Sequence, residues 1–243
     1  VVKTDAQGDT LWTRTYGGDN NERASSIQET TDGGYVVAGM TYSFGWGGDF
    51  YVVKTDAQGD TLWTRTYGGN SDDWAFSIQQ TTDGGYVIAG TTYSFGAGSY
   101  DFYVVKTDAQ GDTLWTRTYG GNGYDFANSI QQTADGGYLL TGSTNSFVAG
   151  NADFYVVKTD GQGDTLWTRT YGGNFNDAAY SIQQTTDGGY VVAGYIYSFG
   201  GNYDFYVVKT DAQGDTLWTR TYGGSNIDDA ASIRQTMDGG YVV

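Results

Sequence analysis

Val52-Val53-Lys54-Thr55-Asp56-Ala57-Gln58-Gly59-Asp60-Thr61-Leu62-Trp63-Thr64-Arg65-Thr66-Tyr67-Gly68-Gly69 reads as two strands joined by a tight turn. Copies begin at Val1, Val52, Val104, Val156 and Val207, spaced 51, 52, 52 and 51 residues apart, and differ once, at Gly161 in place of Ala. The flanks are rich in Val, Thr, Trp and Tyr, which suit a pleated, half-buried surface. Asp-Ala-Gln-Gly-Asp between them supplies Gly where a hairpin turn needs positive φ. A fixed period near 50 residues marks a repeat architecture in which each copy is one supersecondary unit.

Each unit continues as acid-x-Ala-x-Ser-Ile, a Gln/Thr-rich stretch, a Thr-Asp-Gly-Gly turn, an apolar run ending in Ala-Gly and a Thr-Tyr-Ser-Phe-Gly-like segment, before Asp-Phe-Tyr opens the next copy. Four strand types follow: A over 75–81, B over 86–93, C over 101–107 and D over 61–67. No segment carries a sustained helical period, so the chain is all-β. Four-stranded units of this length in tandem predict propeller blades. A parallel solenoid would show shorter rungs and no repeated hairpin turns.

Five copies of each strand predict one domain over 1–243, a five-bladed β-propeller with four antiparallel strands per blade. Its fifth blade joins C and D from residues 1–16 to A and B from residues 230–243, a two-plus-two velcro closure that covers both chain ends. The chain starts and stops inside a unit, as a cut or designed array would.

Composition narrows the chemistry. The 243 residues include 39 Gly, 22 Tyr, 11 Phe and 7 Trp, but no Pro, Cys or His. Disulfides, a Cys nucleophile, a His base and His/Cys metal sites are therefore excluded. A net charge of −16, from 28 acids against 12 bases, argues against nucleic acid and anionic membranes. No apolar run is long enough to span a bilayer.

The run Tyr86-Val87-Ile88-Ala89-Gly90, followed by Asp108 and Trp115, resembles kelch-type propeller repeats. Gly59-Asp60-Thr61-Leu62-Trp63 resembles the tryptophan-docking motif of quinoprotein propellers. Such repeats are similar to arrays in bacterial secreted or surface proteins. The resemblance implies a propeller fold, an extracellular or cell-surface location for a natural parent, and, on its quinoprotein side, a quinone-dependent dehydrogenase as an alternative activity.

Copies vary at two connections only. The D–A link differs among 19–23, 70–74, 122–126, 174–178 and 225–229, and the B–C loop among 45–48, 96–100, 148–152 and 200–203. With strands alternating in direction, both connections emerge at the same end. They carry Trp46, Trp74, Phe76, Tyr100, Tyr124, Phe126, Phe175, Tyr180 and Tyr203. These aromatics beside amides and carboxylates suit a glycan or protein ligand. One position of the D–A link is always acidic: Glu22, Asp73, Asp125, Asp177 and Asp228. A closed ring would gather these five at a channel mouth, where oxygen ligands suit a hard cation. Otherwise each acid accepts local backbone N–H groups.

No catalytic constellation stands out, because the paired carboxylates recur with the same surroundings in every copy, whereas a catalytic site is a single asymmetric arrangement. The expectation is a non-enzymatic scaffold without cofactor, with ligand contacts on its variable end. Near-identical copies also favour strand exchange between chains, so mostly monomer with a domain-swapped minority is expected.

Overall fold

The structure, a computed structural model, describes residues 1–148, 151–197 and 201–243. Residues 149, 150 and 200, which fall within the expected variable loops, lie outside the described residues. Among the described residues all regular structure is β-strand.

The N-terminal half-unit forms β1 (Val2–Thr4) and β2 (Thr10–Thr13). Four complete units follow, each in the order A-B-C-D. They are β3 (Glu22–Glu29), β4 (Tyr35–Thr41), β5 (Asp49–Thr55) and β6 (Thr61–Tyr67); then β7 (Asp73–Gln80), β8 (Tyr86–Thr92), β9 (Asp101–Thr107) and β10 (Thr113–Tyr119). The third is β11 (Asp125–Gln132), β12 (Tyr138–Thr144), β13 (Asp153–Thr159) and β14 (Thr165–Tyr171). The fourth is β15 (Ala178–Gln184), β16 (Tyr190–Tyr197), β17 (Tyr203–Thr210) and β18 (Thr216–Tyr222). The chain ends with β19 (Arg234–Gln235) and β20 (Tyr241–Val242). Each complete unit is one four-stranded sheet with its strands in chain order.

The expected strands are all present, with one local difference. In the first three complete units strand A begins at the acid, two residues earlier than the sequence pattern suggested, and in all four it carries a bulge between its Ala and Ser, as between Ala75 and Ser77. The bulge inserts one unpaired residue and bends the strand. Its occupants are Ser25, Phe76, Asn128 and Tyr180.

The ends of the chain differ from expectation more substantially. β1–β2 and β19–β20 are two separate two-stranded sheets, so the sheets as described do not close. Each half-sheet packs instead on its neighbour in sequence. Val1 and Tyr16 lie against Val37, Tyr51 and Val53. Ala230, Ile233 and Tyr241 lie against Val191, Ala193 and Val207.

The chain divides into two compact units, residues 1–95 with 104–116, and residues 96–103 with 117–243. Within each, sheets stack face to face, so strands B and C are covered on both sides and buried along their whole length in β5 and β12, for example. That is why B and C are near-continuous apolar runs. In the second unit the stack is filled by Leu139, Phe154, Val156, Ile182, Val192 and Val208. Strand-A glutamines stitch neighbouring sheets together: Gln80 N donates to Gln28 Oε1 at 2.6 Å, and Gln184 N to Gln131 Oε1 at 2.8 Å.

Candidate functional site

The antiparallel order gives every sheet two ends of different character. At the first, where A turns to B and C turns to D, all copies are alike. Asp56 Oδ1 accepts from the backbone N–H groups of Gln58 and Asp60, both at 2.9 Å, and Gly59 holds φ at +79°. The first acid of each pair is thus spent on turn formation, while the carboxylate of the second is used by an arginine, Asp60 by Arg14 for example. Asp32 Oδ1 likewise accepts from Gly34 N at 3.0 Å and Thr30 Oγ1 at 2.6 Å.

Lys54 completes that end. Its ammonium lies 2.9 Å from Asp32 Oδ2 and donates to Thr55 O at 2.8 Å. The lysine is buried, with its apolar stem threaded through the sheet stack. Lys54 and Thr30 hold the Asp32 carboxyl at about 2. On strand D, Arg65 bonds Asp112 of the next turn at 3.1 Å, and Tyr67 OH donates to Gly111 O at 2.7 Å. These contacts join successive sheets.

The second end is where copies differ. The B–C loop of one sheet hydrogen-bonds the D–A link that leads to the next: Asp73 N donates to Gly48 O, Asp125 N to Tyr100 O at 2.7 Å, Asp177 N to Ala152 O at 2.6 Å and Asp228 N to Tyr203 O at 2.8 Å. The two variable connections therefore share one end, as antiparallel geometry requires.

Of the nine aromatic candidates, the structure brings Tyr100, Tyr124 and Phe126 together as a stacked cluster, with ring centroids 5.4 to 6.2 Å apart. Tyr124 is half exposed. Tyr180 and Tyr203 meet through Tyr195, and Phe175 and Tyr203 through Tyr197, at 4.8 to 5.8 Å. Trp46 projects from the β4–β5 loop, 80% exposed. Trp74 is half-buried with its indole against Gly48, and Phe76, the bulge residue, is also half-buried. Tyr195 and Tyr197 escaped the sequence reading. The signal was present: Tyr195 occupies a strand-B position that is Met40, Thr91 or Ser143 elsewhere.

The opening acids of strand A lie at this same end. Asp125 Oδ2 accepts from Gly121 N at 2.9 Å and Ser146 Oγ at 2.6 Å, and Asp73 Oδ2 from Gly69 N at 2.8 Å and Ser94 Oγ at 2.7 Å. Asp177 Oδ2 and Asp228 Oδ2 accept from Gly173 N and Gly224 N, and Glu22 Oε1 accepts from Thr41 Oγ1. Each acid thus serves its own strand entrance. Among the described residues no three acids converge as a metal cluster.

Four of these acids have a second carboxyl beside them, from the first or second residue of a strand C. The pairs are Asp49 with Asp73, Asp101 with Asp125, Asp153 with Asp177 and Asp204 with Asp228, each lying over a glycine. Burial, and then the charge of the paired Asp, pushes Asp49 and Asp153 up to about 6. Asp101 is raised to about 6 by burial and, less strongly, by Asp125. Among the described residues no helix is long and apolar enough to cross a membrane.

Comparison with known proteins adds a family. The family described as outer membrane protein assembly factor BamB matches residues 1–236. The chain is also similar to the regulatory protein FlaEY of Caulobacter vibrioides, 28% identical over an alignment of 180 positions that covers 67% of this chain and 18% of that protein. It thus spans less than a fifth of that curated relative. Among solved structures it is similar to a protein of unknown function from Bacteroides caccae, at 12% identity over 92% of this chain and 91% of that one, with a TM-score of 0.44. BamB from Moraxella catarrhalis matches at 13% identity over 82% and 79% of the two chains, with a TM-score of 0.29.

Proposed function

We propose, from the premise that this chain belongs to the family described as outer membrane protein assembly factor BamB, that it is a non-enzymatic, five-bladed β-propeller whose variable end holds a protein ligand. The observation that carries the ligand reading is the contrast between the two ends. Turns at one end repeat almost unchanged, while the aromatics at the other end differ from copy to copy and form two clusters. Exposed aromatics anchored on a rigid sheet edge lose little entropy on binding and bury large area.

Five-blade closure is supported by one isoleucine. In strand A, Ile78, Ile130, Ile182 and Ile233 are at most 6% exposed, whereas Ile27 is 53% exposed. The first complete sheet thus has an apolar face prepared for a preceding sheet. In the register of β4 with β5, Tyr35 pairs with Thr55, Val36 with Lys54 and Val37 with Val53. Carried over to the chain ends, that register sets Tyr241 opposite Thr4, Val242 opposite Lys3 and Val243 opposite Val2. It also offers Asp238 to Lys3, as Asp32 receives Lys54.

A glycan is the second reading, favoured by the exposed indole of Trp46 and the stacked Tyr100–Tyr124–Phe126 cluster. The relative named as a regulatory protein is in keeping with action through binding. Peptide and glycan arrays probed with the wild-type chain and with a Trp46→Ala/Tyr124→Ala variant separate these readings. Both side chains are exposed enough for alanine to leave folding intact, unlike Trp74. The expected result is peptide capture weakened roughly tenfold or more in the variant. Glycan capture lost in the variant would move the ligand to the second reading; capture by neither array, or capture unchanged in the variant, would overturn a ligand site at this end.

A further inference from the structure

We propose that each carboxyl pair between neighbouring sheets is a binding site for a hard divalent cation, calcium being the best fit, independent of any ligand at the aromatic loops. The pair Asp101–Asp125 shows the argument most fully. Asp101 opens β9 and Asp125 opens β11, and the two residues are 1% and 0% exposed. One oxygen of each is satisfied: Asp101 Oδ2 accepts from Ala97 N at 2.7 Å, and Asp125 Oδ2, the oxygen turned toward Asp101, from Gly121 N and Ser146 Oγ. Asp101 Oδ1 and Asp125 Oδ1 have no hydrogen-bond partner at all. A buried carboxylate oxygen left unpaired costs free energy and calls for an unseen partner.

Two further observations identify that partner as a cation. The carboxyls converge over Gly120, where a Cβ would stand 1.8 Å from Asp101 Oδ1 and 2.6 Å from Asp125 Oδ2. The two groups are therefore within about 5 Å of one another, a separation at which like charges repel strongly unless something neutralises them. The bases of the same copy are committed at the opposite end, Lys106 to Asp83 and Arg117 to Asp164.

The arrangement recurs. Asp49 and Asp73 converge over Gly68, Asp153 and Asp177 over Gly172, and Asp204 and Asp228 over Gly223. Oδ1 of Asp73, Asp153 and Asp204 is again without a partner. Asp73 is fully buried and Asp49 nearly so. Two carboxylates alone suit calcium, which accepts flexible oxygen geometry and completes its shell with backbone oxygens and water, better than magnesium, which demands a regular octahedron. This site differs from a ring of the five opening acids: its ligands come in pairs, one from strand C and one from the next strand A.

The test uses the full chain stripped with EDTA and titrated with calcium chloride to about 10 mM, above the range of weak oxygen-ligand modules. Calorimetry should show heat, and the melting temperature should rise by roughly 5 °C. Replacing Asp49, Asp101, Asp153 and Asp204 together by Asn should abolish both responses. If that variant does not fold, Asp101→Asn alone should remove one binding equivalent of the wild-type number. Absence of heat and of any thermal shift in the wild type would overturn the proposal. So would an undiminished response in the Asn variants, which would place the ions on exposed turn acids.

Discussion

Ile27→Ala should destabilise the protein about as much as Ile182→Ala, by roughly 2–5 kcal/mol each, in urea unfolding. For Ile182 the reason is visible: it is 3% exposed in a core with Phe154, Val156 and Val192, and truncation leaves a cavity. Ile27 occupies the same place in its own copy but is half exposed, the sheet before it being present only as β1 and β2. Surface truncations are worth about 0.5 kcal/mol or less. The two substitutions therefore differ severalfold in an open array and agree in a closed ring. A closed ring covers Ile27 with the sheet completed by β19 and β20, so agreement is the expected result. A cost for Ile27→Ala below about 1 kcal/mol would mean that nothing covers this face.

In EDTA, the melting temperature should rise as pH is lowered from 7 to about 5, then fall steeply between about 4 and 2. The upper limb follows from Asp49, Asp101 and Asp153, each raised from 3.8 to about 6 by burial and a neighbouring carboxyl. The folded state binds their protons more tightly than the unfolded chain. They therefore destabilise the fold above pH 6, and this penalty is relieved as pH falls through 6 toward 3.8. For Asp101, which is almost fully buried, the penalty is on the order of 2–3 kcal/mol at neutral pH.

The lower limb has the opposite sign. Asp32, Asp83, Asp135 and Asp187 are held at about 2. For Asp83 and Asp135 burial works upward but is outweighed by the Lys and Thr partners; for Asp187 Thr185 leads and Lys209 follows. Their stabilisation is complete above 3.8 and is lost as pH falls through 2. These carboxyls are half exposed, so solvent screening limits each to about 1 kcal/mol. Loss of all four still gives a sharp acid limit. Thermal melts across pH 2–8 check both limbs; stability that falls steadily from pH 7 downward would contradict the upper one.

Most of the fold was legible because one unit, written five times, makes period and turn chemistry unambiguous. The Asp-x-x-Gly and Asp-Gly-Gly turns, the antiparallel order and the shared end of the two variable connections all follow from residue type and strand alternation. The family match supports the quinoprotein-like reading of the Gly59–Trp63 segment. What the sequence hid was three-dimensional pairing between copies. Asp49 and Asp73 are 24 positions apart and belong to different sheets, so their convergence depends on how one sheet stacks on the next. Strand alternation already put both at the same end, and that was the usable signal. The burial of Lys54 was hidden for a similar reason: its charge suggested the surface, while its stem lies in the sheet stack. The bulge at Phe76 and Tyr180 leaves no mark beyond a variable position inside an otherwise constant strand.

A cysteine pair tests ring closure most directly. The chain has no native cysteine, so Val2→Cys with Val243→Cys reports on one contact alone. In a ring closed in the register of the other sheets, these positions would face each other across neighbouring strands, with Cβ atoms at about the 4.5–5.5 Å typical of such pairs, a small backbone shift from the roughly 3.5–4.5 Å of a disulfide. Mild oxidation of dilute protein, followed by non-reducing electrophoresis and thiol counting, should give a disulfide within one chain in most molecules, with a small dimeric fraction from strand exchange. Free thiols after oxidation, or cross-linking found only between chains, would contradict a ring closed by the chain's own two halves.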